Sequence, residues 1–267
     1  MSRPQSTPRE SGHAPVNGIR IYYEIHGDTP GVPLVLLHGG GSTIESTFGQ
    51  VLPLLAGHRT VIALEEQAHG RTTDRDGPVR FDSSADDVIG LLEHLRIAQV
   101  DLWGFSNGAS VALHVTLQRP DVVRRLVFAS SMTRRSGAYP YLWDAIRQAD
   151  FNDMPQPLKE AFLEVNPDPQ KLRTMHDKDA ERMRSFEDVP DELVRTIEAP
   201  MLILAGDQDI VTLEHVIGLT HLIPGARVLI VPGGHGDYMG TAEASQPGNP
   251  YPPLTAALVE AFLDSAS

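Results

Sequence analysis

Five residues near the middle of the chain, Gly104-Phe105-Ser106-Asn107-Gly108, have the form G-x-S-x-G. They stand where an apolar run ending at Phe105 gives way to a helix-period stretch from Asn107 to Arg119. A serine on such a strand–turn–helix bend projects its hydroxyl from the carboxyl edge of a sheet, and flanking glycines let the backbone crowd the bend. A hydroxyl is a poor nucleophile until a base takes its proton. Histidine titrates near neutrality, and of the eleven histidines His235 is the best placed. It follows the last apolar run, in Gly233-Gly234-His235-Gly236, where glycines free the loop to aim the ring. The imidazole needs a carboxylate to hold its tautomer. Gly206-Asp207-Gln208-Asp209 follows the preceding apolar run; Asp209 is assigned that role and Asp207 a turn. A developing oxyanion needs preorganised N–H donors. His38-Gly39-Gly40-Gly41-Ser42 presents unobstructed amides after the first apolar run, and Asn107 offers another at the helix start. The chemistry such a set supports is acyl transfer through Ser106, with His235 as base and Asp209 orienting it.

Residues this far apart in sequence need a scaffold that gathers strand ends. Apolar runs recur at 33–38, 60–64, 100–105, 125–129, 201–206 and 227–231. Runs without alternation suit strands buried on both faces of a parallel sheet. Between them lie helix-period stretches at 85–95, 107–119, 212–222 and 254–263. In the first, Val88, Leu91, Leu92 and Leu95 share one face. Strands alternating with helices predict βαβ units and an α/β fold. The segment from Val16 alternates apolar and polar residues, as a half-buried strand does, with Asn17-Gly18 as a turn before it. Residues 1–14 are polar and read as a loose tail.

The alternation breaks between 132 and 199. Six prolines punctuate helix-like pieces at 141–149, 157–165 and 168–175, and no buried run appears. This reads as a helical lid inserted into a core of residues 15–131 and 200–267. Its aromatic and soft apolar side chains offer Tyr139, Trp143 and Met154 as substrate contacts, although most such residues are expected to pack the lid onto the sheet. Arg134 and Arg135 begin the segment and read as a solvated pair.

Composition excludes several function classes. The 267 residues hold no cysteine, so disulfides, thiolate metal sites and a cysteine nucleophile are ruled out. Lys plus Arg is 22 against 35 for Asp plus Glu, a formal charge of −13. That argues against nucleic-acid or anionic-membrane partners and for a small-molecule substrate. No apolar run approaches a membrane span, and the start lacks the apolar stretch of a signal peptide; a cytoplasmic protein is expected. There is no H-E-x-x-H, and His176 with Asp177 and Asp179 reads as a solvated helix face, so no metal is expected.

With HGGG at 38–41, GFSNG at 104–108, GDQD at 206–209 and GGHG at 233–236, in that order, the chain resembles the lid-bearing serine esterases of the α/β-hydrolase fold over about residues 16–265. The resemblance implies Ser106 as nucleophile, Asp209 as acid and His235 as base. It implies Gly40 and Asn107 as oxyanion donors, with Gly41 as the alternative to Gly40, and no cofactor. A family turn resembling D-x-x-G-H-G-x-S is altered here to Glu65-Glu66-Gln67-Ala68-His69-Gly70-Arg71-Thr72, a change expected to leave the chemistry untouched. A serine at position 106, not an aspartate, disfavours dehalogenases and epoxide hydrolases. The expected reaction is cleavage of a carboxylic ester or lactone of a small, largely apolar substrate. The alternatives are perhydrolysis of the haloperoxidase type, carbon–carbon bond hydrolysis, cyanohydrin cleavage, or a non-catalytic receptor.

Overall fold

A computed structural model describes residues 7–265. Eight strands form one sheet: β1 Glu10–Val16, β2 Ile19–His26, β3 Leu34–Leu37, β4 Val61–Leu64, β5 Val100–Phe105, β6 Val123–Ala129, β7 Met201–Gly206 and β8 Arg227–Val231. Their order is β1-β2-β4-β3-β5-β6-β7-β8. The pairs β1–β2 and β2–β4 are antiparallel, and every pair from β4 to β8 is parallel. The helices are α1 Ile44–Phe48, α2 Leu52–Leu55, α3 Phe81–His94, α4 Asn107–Gln118, α5 Pro140–Gln148, α6 Gln156–Val165, α7 Pro169–Arg184, α8 Asp191–Val194, α9 Leu213–Leu222 and α10 Tyr251–Leu263. Among the described residues, no helix is long and apolar enough to cross a membrane.

The apolar runs are explained by a sheet covered on both faces. Successive strand side chains point to opposite faces. Val35 and Leu37 join the core layer that also holds Val88 and Leu91 of α3 and Val111 of α4. Leu34 and Leu36 join the other layer, with Phe48 of α1, Leu55 of α2 and Val259 of α10. Both sets are fully buried, so no polar residue could alternate with them.

The strand order sets where a ligand can sit. After β3 the chain moves to one side to make β4, then crosses β3 to make β5 on the other side. Connections that leave in opposite directions open a crevice beyond the carboxyl ends of the two strands. The loop after β3 and the turn after β5 meet there, and these carry the glycine run and Ser106.

Two sequence expectations change. Glu10 to Ala14 are not a tail: they belong to β1, which pairs with β2 through the Asn17-Gly18 turn. Both turn residues have positive φ, +46° and +83°, the backbone a two-residue hairpin demands. β1 is an edge strand, so only Ala14 and Val16 are buried on its inner face and Pro15 is tolerated. A half-exposed edge strand leaves little apolar pattern to read. Residues 1–6 of the expected tail lie outside the described residues. The third helical piece of the 132–199 segment also runs nine residues further than expected, to Arg184; its charged composition hid a buried face.

The return from α8 to the end of the chain is tied to the segment after β6 through His215 of α9. The backbone N–H of Thr133 donates to His215 Nε2 at 3.1 Å, which requires that nitrogen to be unprotonated. Burial first, and the Arg134 cation second, push His215 down to about 4. The folded state therefore takes up its proton only near pH 4, whereas the unfolded chain does so near 6.5. The contribution to stability is complete above about pH 6.5 and is lost as the pH falls toward 4, by at most about 3 kcal/mol. His215→Gln, which can still accept from Thr133, should flatten that loss when urea unfolding midpoints are compared between pH 7 and pH 4.5. Gly108 gives a second test. A Cβ there would stand 2.2 Å from the Leu37 carbonyl oxygen, so Gly108→Ala should lower stability by about 3 kcal/mol or more, read as a melting temperature.

Candidate active site

Ser106 lies between β5 and α4 with φ +54° and ψ −120°. A non-glycine residue in that region carries about 1–3 kcal/mol of strain and persists only where its surroundings over-determine it. They do so here. A Cβ on Gly104 would fall 2.2 Å from the Gly108 carbonyl oxygen, so strand and helix cross at a spacing only glycine permits. The Ser106 N–H donates to the Ala129 carbonyl at the end of β6, at 2.8 Å. The hydroxyl is thereby held out over the crevice.

His235 reaches it from the loop after β8. Its Nε2 is 3.1 Å from Ser106 Oγ, and its Nδ1 is 2.7 Å from Asp209 Oδ1. An ionised carboxylate can only accept, so Nδ1 carries the proton and Nε2 is free to take one from the serine. Burial pushes the Asp209 carboxyl up. The neighbouring His235 and the hydrogen bonds it accepts outweigh burial and leave it below the ordinary aspartate value. Those donors include the N–H groups of Gly206 at 3.0 Å and Ile210 at 2.7 Å. Ser130 Oγ also donates to Asp209 Oδ2 and lies 2.6 Å from the hydroxyl of buried Tyr238. Sequence reading missed Ser130 and Tyr238. The only signal for Ser130 was its place directly after a strand run, and it has a positive φ of +52°.

The glycine loop closes the other side of Ser106. A Cβ on Gly40 would meet Asp179 Oδ2 at 2.4 Å and Asn107 Nδ2 at 2.5 Å. A side chain at this position would have to displace the Asp179 carboxylate and the Asn107 amide that lie against the loop. Among the described residues, no protein acceptor takes the N–H of Gly40. The N–H of Asn107 opens α4 and has no carbonyl one turn earlier within the helix. His38 fixes the loop: its Nδ1–H donates to the Gly39 carbonyl at 2.8 Å, and its Nε2 accepts from the Glu66 N–H at 3.1 Å. Burial pushes it down to about 4, consistent with that neutral tautomer.

Ser106, Asn107, Gly40 and Gly41 open into a cavity of about 630 Å³. Leu142 and Ile146 of α5, Leu158 of α6, Met183 of α7 and Ile210 give it apolar walls. Of the three expected substrate contacts, Met154 lines it. Trp143 does not: it is buried against Phe186, under the Arg135 guanidinium, with its N–H donated to the Arg135 carbonyl. Tyr139 is exposed and stacked on Tyr141, also outside the cavity. Trp143 is used as a core side chain and Tyr139 stands just before α5, while Leu142 and Ile146 of α5 face the cavity.

The reading of His176, Asp177 and Asp179 as one solvated face is also corrected. Asp177 is exposed and pairs with Arg173, and His176 lines the cavity. Asp179 is buried in a network that sequence reading missed. Arg182 donates to Glu66 Oε2 at 2.7 Å and to Asp179 Oδ1 at 2.5 Å. Asn107 Nδ2 donates to Asp179 Oδ1 at 3.2 Å, and His69 Nε2 lies 3.8 Å from Asp179 Oδ2. Burial opposes the charge on His69, but the Asp179 carboxylate outweighs it and raises the imidazole above its ordinary value. The altered turn at 65–72 is therefore coupled to α7 and to the helix start beside Ser106.

Comparison with known proteins agrees with the fold. A family model described as the alpha/beta hydrolase fold matches residues 32–170, just over half the chain. The chain is 34% identical over 137 residues to a pyrrolizixenacetamide deacetylase of Xenorhabdus hominickii, covering 49% of this chain and 51% of that one. It is 34% identical over 134 residues to a 2-hydroxymuconate semialdehyde hydrolase of Pseudomonas sp. strain CF600, covering 49% and 47%. The match spans about half the length of these curated relatives. An enol-lactonase structure from Burkholderia xenovorans LB400 superposes with a TM-score of 0.73 at 20% identity, over 95% of this chain and all of that one. The matched sequence model and the sheet order agree: the chain belongs to the α/β-hydrolase family.

Proposed function

We propose that this hydrolase cleaves a carboxylic ester or lactone of a small, largely apolar substrate through an acyl-enzyme. The observation that carries the reading is the hydrogen-bonded series Ser106–His235–Asp209, at 3.1 and 2.7 Å, opening onto an apolar cavity. Ser106 Oγ attacks the acyl carbon as His235 Nε2 takes its proton. Asp209 keeps the imidazole in its productive tautomer and balances the imidazolium. The N–H groups of Gly40 and Asn107 stabilise the tetrahedral oxyanion, a contribution of about 3 kcal/mol per donor in related sites. His235 then protonates the leaving oxygen, and a water activated by the same nitrogen releases the acyl group. Helices α5 to α7 act as a lid: they supply the apolar walls, and by excluding water they strengthen every charge interaction beneath them.

A second reading keeps the same machinery for a carbon–carbon or amide bond. It is favoured by the relatives, one named as a semialdehyde hydrolase and one as a deacetylase. A panel of short p-nitrophenyl esters, lactones, N-acetyl amides and vinylogous diketones separates the two: a turnover of diketones or amides far above that of esters would overturn the ester reading.

Ser106→Ala should lower kcat by about 10⁶-fold, as expected when the members act as a unit, and should abolish labelling by an alkyl fluorophosphonate. Wild-type activity in that variant would overturn the mechanism. Asp209→Asn keeps the shape but offers His235 the wrong hydrogen-bonding partner, and should cost about 10⁴-fold in kcat with little change in KM, measured on the best ester of the panel.

A further inference from the structure

Carboxylates and one imidazole, His176, are the titratable side chains that line the cavity over Ser106. Asp150, Asp153 and Asp179 line it, and no lysine or arginine does. Asp150 and Asp153 are exposed at its mouth. Asp179 is buried at its floor, against Gly40 and the Asn107 amide. The cation nearest that floor is Arg182, and its side chain is 1% exposed. It donates to Glu66 and to Asp179. Asp179 lines the cavity and Arg182 does not, so a carboxylate stands between the guanidinium and any bound molecule. Four other cations of this segment are engaged elsewhere. Arg134 pairs with Asp191. Arg135 lies over the Trp143 ring. Arg184 and Lys159 donate to the carbonyls of Ala149 and Asn152.

We infer that Asp179 is a specificity-determining residue, which makes this cavity accept uncharged acyl chains and reject those that carry a carboxylate. The inference rests on the serine-hydrolase reading above and names the substrate class within it. The physical reason is desolvation. A carboxylate entering an apolar cavity loses its water and must be met by a cation or by donors. Arg182, the guanidinium behind Asp179, already has both its partners. A second carboxylate would also face Asp179, whose ionised form Arg182 strongly favours. Like charges brought together in a desolvated site cost several kcal/mol. An uncharged chain can pack against the aliphatic walls without losing a hydrated charge. Replacing Asp179 by asparagine keeps an oxygen to accept from Asn107 and leaves Arg182 paired to Glu66. It also removes the charge that screens the guanidinium from the cavity.

The test compares p-nitrophenyl hexanoate with the mono-p-nitrophenyl ester of adipic acid. The two acyl chains are equal in length and differ in a terminal carboxylate. Rates are taken above spontaneous hydrolysis, at a pH above the range in which imidazole titrates. Wild-type kcat/KM should favour the hexanoate ester by about 100-fold. Asp179→Asn should shrink that ratio at least tenfold, chiefly by a gain on the adipate ester. Comparable kcat/KM for both esters in the wild type would overturn the inference with no variant needed. So would an Asp179→Asn protein that melts like the wild type and slows both esters equally, since Asp179 would then act only on the elbow. If neither ester turned over and an alkyl fluorophosphonate left Ser106 unlabelled, the hydrolase reading would fall, and this inference with it. Failure of the charge rule alone leaves Ser106 labelled and the hexanoate ester cleaved.

Discussion

The crossing of β5 and α4 at Gly104 and Gly108 is the constraint on which the rest of the site depends. Gly108 rests on the Leu37 carbonyl at the end of β3, so the start of α4 is seated over the neighbouring strand. That seating places Ser106 beside the loop after β3, with Gly39 and Gly40 against Ser106 and Asn107. Ser106 and the amides facing it are thus positioned by one backbone approach. The Ser106 N–H is anchored on β6 at Ala129. The next residue, Ser130, holds Asp209, and Asp209 holds His235. A Cβ at the crossing would push strand and helix apart and move each of these groups in turn. Close-packed interiors transmit such strain because they have no free volume to absorb it.

A second dependency joins the core to the helices over it. Glu66 follows β4, Asp179 and Arg182 belong to α7, and Asn107 begins α4. Buried ion pairs of this kind are poor sources of net stability, because desolvation offsets much of the attraction. Leaving one partner alone is costly, however, and that makes the arrangement specific. Arg182 has two carboxylate partners only when α7 lies in this position and register. Apolar contacts among Met154, Leu158, Phe162, Leu172 and Met175 hold α6 and α7 to Ala68 of the same turn. The polar network adds direction to that contact.

Much of this was legible in the residue string because chemistry at strand ends leaves local marks. A buried parallel strand is apolar wherever no buried partner meets a polar group, so β3, β4, β7, most of β6 and β5 apart from Asp101 stood out as runs. The turns after them must carry glycines, so the segments around Gly40, Ser106, Asp209 and His235 stood out as well. The edge strand β1 did not, because half its residues face water and its pairing with β2 uses backbone groups that every residue has. Ser130 did not, because a serine after a strand has many ordinary reasons to be there. Trp143 and Tyr139 were expected at the cavity from their type alone. Which face of α5 turns inward depends on what packs against it, and Phe186 and Tyr141 claim those two rings instead.

Two kinds of information therefore separate. The strand runs, the glycine-flanked serine and the order Ser106, Asp209, His235 were written locally, because backbone geometry and hydrogen-bonding chemistry restrict residue types position by position. The pairing of Asp179 with Arg182, Glu66 and Asn107 was not. It joins residues separated by up to 116 positions. In sequence Asp179 is one acid in a helix rich in charges, alike in type to Asp177. Burial alone distinguishes them: one carboxylate is in water beside Arg173, the other is desolvated against Gly40 and the Asn107 amide. That difference arises from packing α7 onto the turn after β4, a long-range contact with no signature in either segment.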